Sequence, residues 1–280
     1  MRFASTGAVA LHPLVLRVLA PNPSPFTHTG TQGYVVGDAA SVAVIDPGPD
    51  DARHRAALLR AIDGRAVRAI LCTHNHRDHS PGAAPLAAET GAPVVGCAPL
   101  AVAGDAAFDT GYAPDAVLAD GERVEGDGWS LQAVATPGHT SNHLAFALPQ
   151  AQALFSGDHV MGWSTSIVSP PDGDMGAYMA SLERLLGRDD AVYYPGHGDA
   201  VEQPQRWVRS MLGHRRAREG QILRLLGGGD GLAVPAMAAR MYAGIEARLL
   251  PAAERSTLAH LIELGRRGEA AEREGLWHRS

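Results

Sequence analysis

Short apolar runs alternate with amphipathic segments along most of the chain. Residues 34–50, YVVGDAASVAVIDPGPD, hold two apolar runs joined by a Gly-Asp turn and stopped by Asp-Pro-Gly, which predicts a hairpin. In residues 51–62, Ala52, Ala56, Leu59 and Ile62 recur at helical spacing, which predicts a helix. Residues 68–73, RAILCT, are apolar and compact, as a buried strand is. Ser80 then has the character of an N-cap and Pro81 that of a first helical residue, with a helix running through Glu89 and Gly91 just past its end.

The same alternation continues. LQAVATPGH (131–139), HLAFAL (143–148), ALFSGD (153–158) and AVYYPGHG (191–198) read as short strands, and GAYMASLERLLG (176–187) as an amphipathic helix. Beyond about residue 205 the texture changes. One long helix ending at three glycines, two shorter helices, and a hairpin or wing in EAAEREGLWHRS are expected there. Strand-rich and helix-rich stretches that alternate suit two sheets covered by helices.

Composition narrows the class. Hydrophobic residues make up 45% of the 280 and charged residues 19%, a globular mixture with ample material for a core. The two cysteines, Cys72 and Cys97, form no disulfide framework; a buried structural role is expected of Cys72. The apolar stretch at residues 14–20 is short, contains Arg17 and runs into prolines, so it reads as a first strand rather than a signal peptide or membrane span. A cytoplasmic protein with no membrane partner is expected.

The net charge of −6 is uneven, because residues 206–280 carry thirteen Arg against eight acids. Acids are interleaved with these arginines, as on solvated helix faces, so a packing, capping or dimerising role is expected ahead of nucleic-acid contact.

The chemistry concentrates in THNHRDHS, residues 73–80. Imidazole and carboxylate together suit Zn²⁺ and other first-row divalent ions. His74 and His76, two apart on an extended segment, point to the same side and can grip one ion. Asp78 and His79 fall where the chain turns into helix and point elsewhere, so two neighbouring ions suit the four side chains better than one. Later strand ends supply further donors: His139 in TPGHTSNH, Asp158 in FSGDHV and His197 in YPGHGD, each preceded by glycine. With thirteen histidines a lone one says little; the ordered set is what carries the reading.

In this pattern the chain resembles the metallo-β-lactamase superfamily, over roughly residues 25–200. NPSPFTHTGTQGYVVG, IDPG, GHTSNH, SGDHVMG and YPGHGDAVEQP, with the helical tail, resemble the β-lactamase-like branch that includes an endoribonuclease and carries a winged-helix-like tail. The change of texture near residue 205 divides the chain into a catalytic domain over 1–205 and a small helical, winged-helix-like unit over 206–280, and the resemblance implies an α/β fold, the αββα four-layer sandwich. It implies that His74, His76 and His139 hold one ion, that Asp78, His79 and His197 hold the other, and that Asp158 bridges them. A hydroxide between the ions would be the nucleophile, oriented by Asp78 as the catalytic carboxylate. Zinc is the default metal, with iron or manganese as alternatives.

Around that set, Asp46 in IDPG is expected to support the site by hydrogen bonding. His143 is expected to brace a ligand. His159 and Ser166 are candidates for substrate contact, Ser166 from the irregular loop at 162–178. The expected function is hydrolysis of an ester, thioester or lactone of a small molecule. Cleavage of single-stranded RNA is the alternative; a glyoxalase II-like thioesterase or a non-hydrolytic iron enzyme ranks below it. A homo-oligomer is compatible with these features. The pocket, not the fold, sets the substrate.

Overall fold

A computed structural model of the chain describes residues 7–280. They form two compact units. The first runs to Thr136 and takes in Asn142–Ser164 and Asp189–Pro204; the second comprises Pro137–Ser141, Thr165–Arg188 and Gln205–Ser280.

The first unit is built on two sheets. One has seven strands in chain order: β1 (Val9–His12), β2 (Val15–Leu19), β3 (Gln32–Gly37), β4 (Ser41–Ile45), β5 (Ala66–Cys72), β6 (Val94–Gly96) and β7 (Ala116–Val117). Strands β1 to β4 pair antiparallel, and β4 to β7 pair parallel. The expected first strand and hairpin are β2 and the β3–β4 pair. Every residue of β3 and β4 is buried. Their continuous apolar runs suit strands covered on both faces. Helix α1 (Ala52–Ile62) packs against β2 and β3, and α2 (Ala83–Thr90) packs against β5 and β6.

The second sheet has the spatial order β12 (Val192–Pro195), β11 (Ala153–Gly157), β10 (Leu144–Leu148), β9 (Trp129–Ala135) and β8 (Arg123–Gly126). The two sheets share one core, to which Val36, Val44, Ile70, Leu131, Phe146 and Phe155 all belong. The indole N–H of the buried Trp129 donates to the Ser41 carbonyl (3.1 Å), tying β9 to the start of β4.

Helix α1 begins where its pattern predicts, with the Asp51 carboxylate accepting from the Arg53 and His54 N–H groups. Helix α2 departs from expectation. It starts at Ala83 with Gly82 at its N-cap position, not at Pro81 after Ser80. Ser80 instead closes the turn after β5: its N–H bonds the His76 carbonyl and its hydroxyl donates to Asp109 (2.8 Å). The C-terminal end follows the pattern, with Gly91 in the left-handed region.

The second unit holds α3 (Met175–Leu185), the 23-residue α4 (Pro204–Leu226), α5 (Val234–Met241), α6 (Leu250–Arg266) and the hairpin β13 (Ala270–Arg273)–β14 (Leu276–Arg279). Ile222, Leu226, Met237, Leu261, Leu264 and Ala270 make its core. Leu232 and Trp277 exchange backbone hydrogen bonds (2.9 Å each), which adds a third edge to the terminal hairpin. Among the described residues no helix is long and apolar enough to cross a membrane.

Candidate metal centre

Strand β5 delivers the histidine cluster at its carboxyl end. Strands β9, β11 and β12 run in one direction and lead into His139, Asp158 and His197. Strands hold the backbone firmly, and the loops at their ends aim the side chains.

Hydrogen-bond partners set which nitrogen of each ring faces inward. A carbonyl or carboxylate oxygen only accepts, so a ring nitrogen bonded to one carries the proton. His79 Nδ1–H donates to Asp46 Oδ2 (2.9 Å), His197 Nδ1–H to the Gly30 carbonyl (3.3 Å) and His139 Nδ1–H to the Ile167 carbonyl (2.6 Å). Thr73 spends its hydroxyl proton on Asp46 Oδ2 (2.8 Å), so its oxygen accepts from His74 Nδ1–H (3.0 Å). In its neutral form each of the four rings therefore keeps its proton on Nδ1 and presents the lone pair of Nε2. A neutral imidazole presents that atom to a metal when its other nitrogen is pinned in this way.

The Nε2 atoms lie close to one another and to carboxylate oxygens. His74 Nε2 lies 3.0 Å from His76 Nδ1. His197 Nε2 lies 3.1 Å from Asp78 Oδ2, 3.4 Å from Asp158 Oδ1 and 3.4 Å from His79 Nε2. His79 Nε2 is also 3.4 Å from Asp78 Oδ2 and 3.5 Å from Asp158 Oδ1. The donor atoms fall into three groups, each within 4.8 Å: His74, His76 and His139; His74, His79 and Asp158; and Asp78, His79 and His197. Crowding lone pairs and carboxylates in a buried site is unfavourable unless a cation lies among them. The donor set of imidazoles and carboxylates fits first-row divalent ions.

Titration behaviour expresses the same field. Burial opposes charge on His197, yet Asp158 and Asp78 carry its pKa up to about 10. Burial likewise opposes charge on His79, and Asp78, Asp158 and Asp46 overcome it, holding the ring well above the usual histidine value. Burial would raise Asp78, but His79 and His197 hold its carboxyl well below the ordinary range. The negative potential that draws protons to these rings equally draws a metal cation.

Supporting residues surround the donors. Asp46 Oδ1 accepts from the Thr73 N–H (2.8 Å), and its Oδ2 receives Thr73 and His79. Thr31 donates its hydroxyl to Asp78 Oδ2 (3.1 Å). The Asp158 N–H donates to His143 Nε2 (3.1 Å), so the proton of His143 is on Nδ1 and goes to Thr136 Oγ1 (2.8 Å). His143 thus braces the Asp158 backbone, with both nitrogens engaged. His159 is buried, its ring 6.0 Å from that of His143. Ser166 is buried as well, and its carbonyl accepts from Arg215. Gly196 has a steric reason: a Cβ there would stand 2.5 Å from Asp158 Oδ1 and 2.7 Å from His79 Cε1. Cys72 and Cys97 are free, buried thiols.

Sequence reasoning passed over Thr31 and Thr73, whose hydroxyls hold Asp78 and His74, and Thr136, whose hydroxyl receives His143. Thr73 had a signal, because it opens the quoted cluster. Thr31 and Thr136 had none beyond lying in segments already singled out.

Comparison with known proteins identifies the family. The pattern of the Metallo-beta-lactamase superfamily matches residues 27–197, and that of the Beta-lactamase associated winged helix domain matches residues 234–277. The chain belongs to the metallo-β-lactamase superfamily and carries a winged-helix domain after the metallo-β-lactamase region. It is similar to thioesterase pkgB of Emericella nidulans, at 32% identity over 217 residues, 76% of this chain and 58% of that protein. It thus spans little more than half the length of that relative. Beta-lactamase-like protein 2 homolog of Drosophila melanogaster is 30% identical over 273 residues, covering 91% of this chain and 89% of the relative. The crystal structure of a metallo-beta-lactamase family protein from Thermus thermophilus superposes with a TM-score of 0.79 at 24% identity, over 97% of this chain and all of that one. The fold is that of the superfamily.

Proposed function

We propose that the protein is a dinuclear metal-dependent thioesterase acting on an acyl thioester. The observation that carries the metal reading is the convergence of His74, His76, Asp78, His79, His139, Asp158 and His197 with their lone pairs inward. His74, His76 and His139 would hold one divalent ion and Asp78, His79 and His197 the other, with Asp158 in reach of donors from both sets. Bound ions of this kind lower the pKa of water and stabilise oxyanion charge. Asp78, held by the Thr31 hydroxyl, would accept a hydrogen bond from the attacking water and orient it. Water adds to the thioester carbonyl, the C–S bond breaks, and the products are a carboxylic acid and a thiol.

The choice of thioester over RNA rests on two supports. The Emericella relative is named a thioesterase. Six of the thirteen arginines that make the C-terminal part basic are engaged within the chain. Arg216 pairs with Glu183, Arg248 with Glu246, Arg266 with Asp174 and Arg267 with Glu219; Arg218 lies over Tyr242 and Arg215 is buried.

A panel of acyl thioesters, lactones, phosphodiesters and single-stranded RNA, presented to metal-loaded protein, tests the assignment. Thiol release from at least one thioester is expected, with His76→Ala abolishing it. RNA or phosphodiester cleavage without thioester turnover would overturn it.

A further inference from the structure

Arg215, on α4, is 2% exposed. Among the described residues no carboxylate pairs with it. Its Nε has no hydrogen-bond partner, and one terminal nitrogen donates to the Ser166 carbonyl. Its guanidinium lies over the Tyr178 ring, 5.0 Å from the centroid. A cation taken out of water without a counter-charge is unfavourable even after relaxation. Stacking on an aromatic face and a charge-assisted bond to one carbonyl recover only part of that. Such a group is a poor stabiliser, which calls for another reason for its presence.

The carbonyl it holds supplies that reason. Ser166 precedes Ile167, whose carbonyl accepts the Nδ1–H of His139 at 2.6 Å. Arg215 therefore fixes the peptide segment that fixes the histidine. The rest of the His139 loop is tied to the same neighbourhood. Asp174 N–H donates to the Gly138 carbonyl (2.9 Å), Ser141 N–H to Asp172 Oδ2 (2.9 Å), and Ser181 Oγ–H to the Pro137 carbonyl (2.8 Å). Gly138 lies so close to α3 that a Cβ would stand 2.3 Å from Tyr178 Cα. Tyr178, whose ring Arg215 covers, is thus also the surface on which this loop rests.

We infer that Arg215 is a positioning residue for the His139 metal ligand, acting through the Ser166–Ile167 backbone and the Tyr178 ring. This rests on the reading of His139 as a ligand. Substituting the arginine leaves all seven proposed donors in place and loosens one. The loss falls on the ion held by His74, His76 and His139, and the ion held by Asp78, His79 and His197 is untouched.

The test is Zn²⁺ binding to full-length Arg215→Met, Arg215→Lys and His139→Ala, measured by competition with a chromophoric chelator, beside thermal unfolding of each metal-free protein. Met matches the volume without the buried charge, so the metal-free R215M protein is expected to unfold at or above the wild-type temperature. One of its two ions is expected to bind 10–100-fold more weakly, roughly the effect of removing a ligand's supporting partner. R215K, which keeps the charge but not the planar fork, is expected to recover part of that affinity. H139A is expected to lose the same ion. Wild-type affinity for both ions in R215M, with one lost in H139A, would overturn the inference. So would equal weakening of both ions together with a lower unfolding temperature. If H139A binds both ions as the wild type does, the ligand reading fails and the inference fails with it.

Discussion

Asp46 shows how much a single side chain arranges. Its two oxygens receive the Thr73 N–H, the Thr73 hydroxyl and the His79 Nδ1–H, and through Thr73 it also sets the proton on His74. One buried carboxylate thus decides the tautomers of two rings whose Nε2 atoms face the centre. Replacing Asp46 with Asn swaps an acceptor for an amide and removes the preference of His79 for carrying its proton on Nδ1. Asp46→Asn is expected to weaken metal binding roughly 10–100-fold with the fold retained. Chelator competition checks this, and unchanged affinity would contradict it. At this scale the donors themselves were legible in the sequence. A His-x-His-x-Asp-His cluster followed by His, Asp and His at strand ends has little other use. The partners that set the proton on each ring were mostly not legible, because a threonine or a backbone carbonyl takes such a role only through three-dimensional proximity. Thr31, 47 positions from Asp78, is a case.

Elements follow the hydrophobic pattern where it is strong. The hairpin β3–β4, helices α1 and α3, and the helices and wing at the C-terminal end are all visible in the apolar spacing. Short or half-exposed strands were missed: β7 has two residues, both exposed, and β8 has no buried residue. Such strands are held by pairing with a neighbour and carry no apolar signature of their own. The start of α2 was misplaced because Ser80 and Pro81 have N-terminal character in isolation, while the turn after β5 claims Ser80 first.

Helix α1 makes a prediction of its own. His54 is buried with neither ring nitrogen hydrogen-bonded, and burial pushes its pKa down to about 4. In the unfolded chain the ring takes a proton near pH 6.5, roughly, whereas in the fold it stays neutral down to about pH 4. Its contribution to stability is present above pH 6.5 and is lost as pH falls toward 4. Denaturant unfolding of metal-free wild type and His54→Leu should therefore show the wild type losing ground to the variant across that window. A difference independent of pH would contradict it.

At the scale of the molecule, Pro137–Ser141 and Thr165–Arg188 cluster with Gln205–Ser280 rather than with the strands that flank them in sequence. Long-range contacts decide that grouping, and hydrophobic periodicity does not carry them. It also gives the Arg215 proposal its route, since His139, Ile167, Tyr178 and Arg215 all belong to the second unit. The whole-molecule claim is that the donors gathered at the strand ends do nothing until divalent cations join them. The most direct measurement strips the protein with a chelator and follows thiol release from a responsive acyl thioester as Zn²⁺, Mn²⁺ or Fe²⁺ is returned in known equivalents. The account predicts no turnover in the stripped protein and a rise that saturates near two equivalents per chain. Turnover that survives complete metal removal, or no turnover of any thioester at any loading, would contradict it.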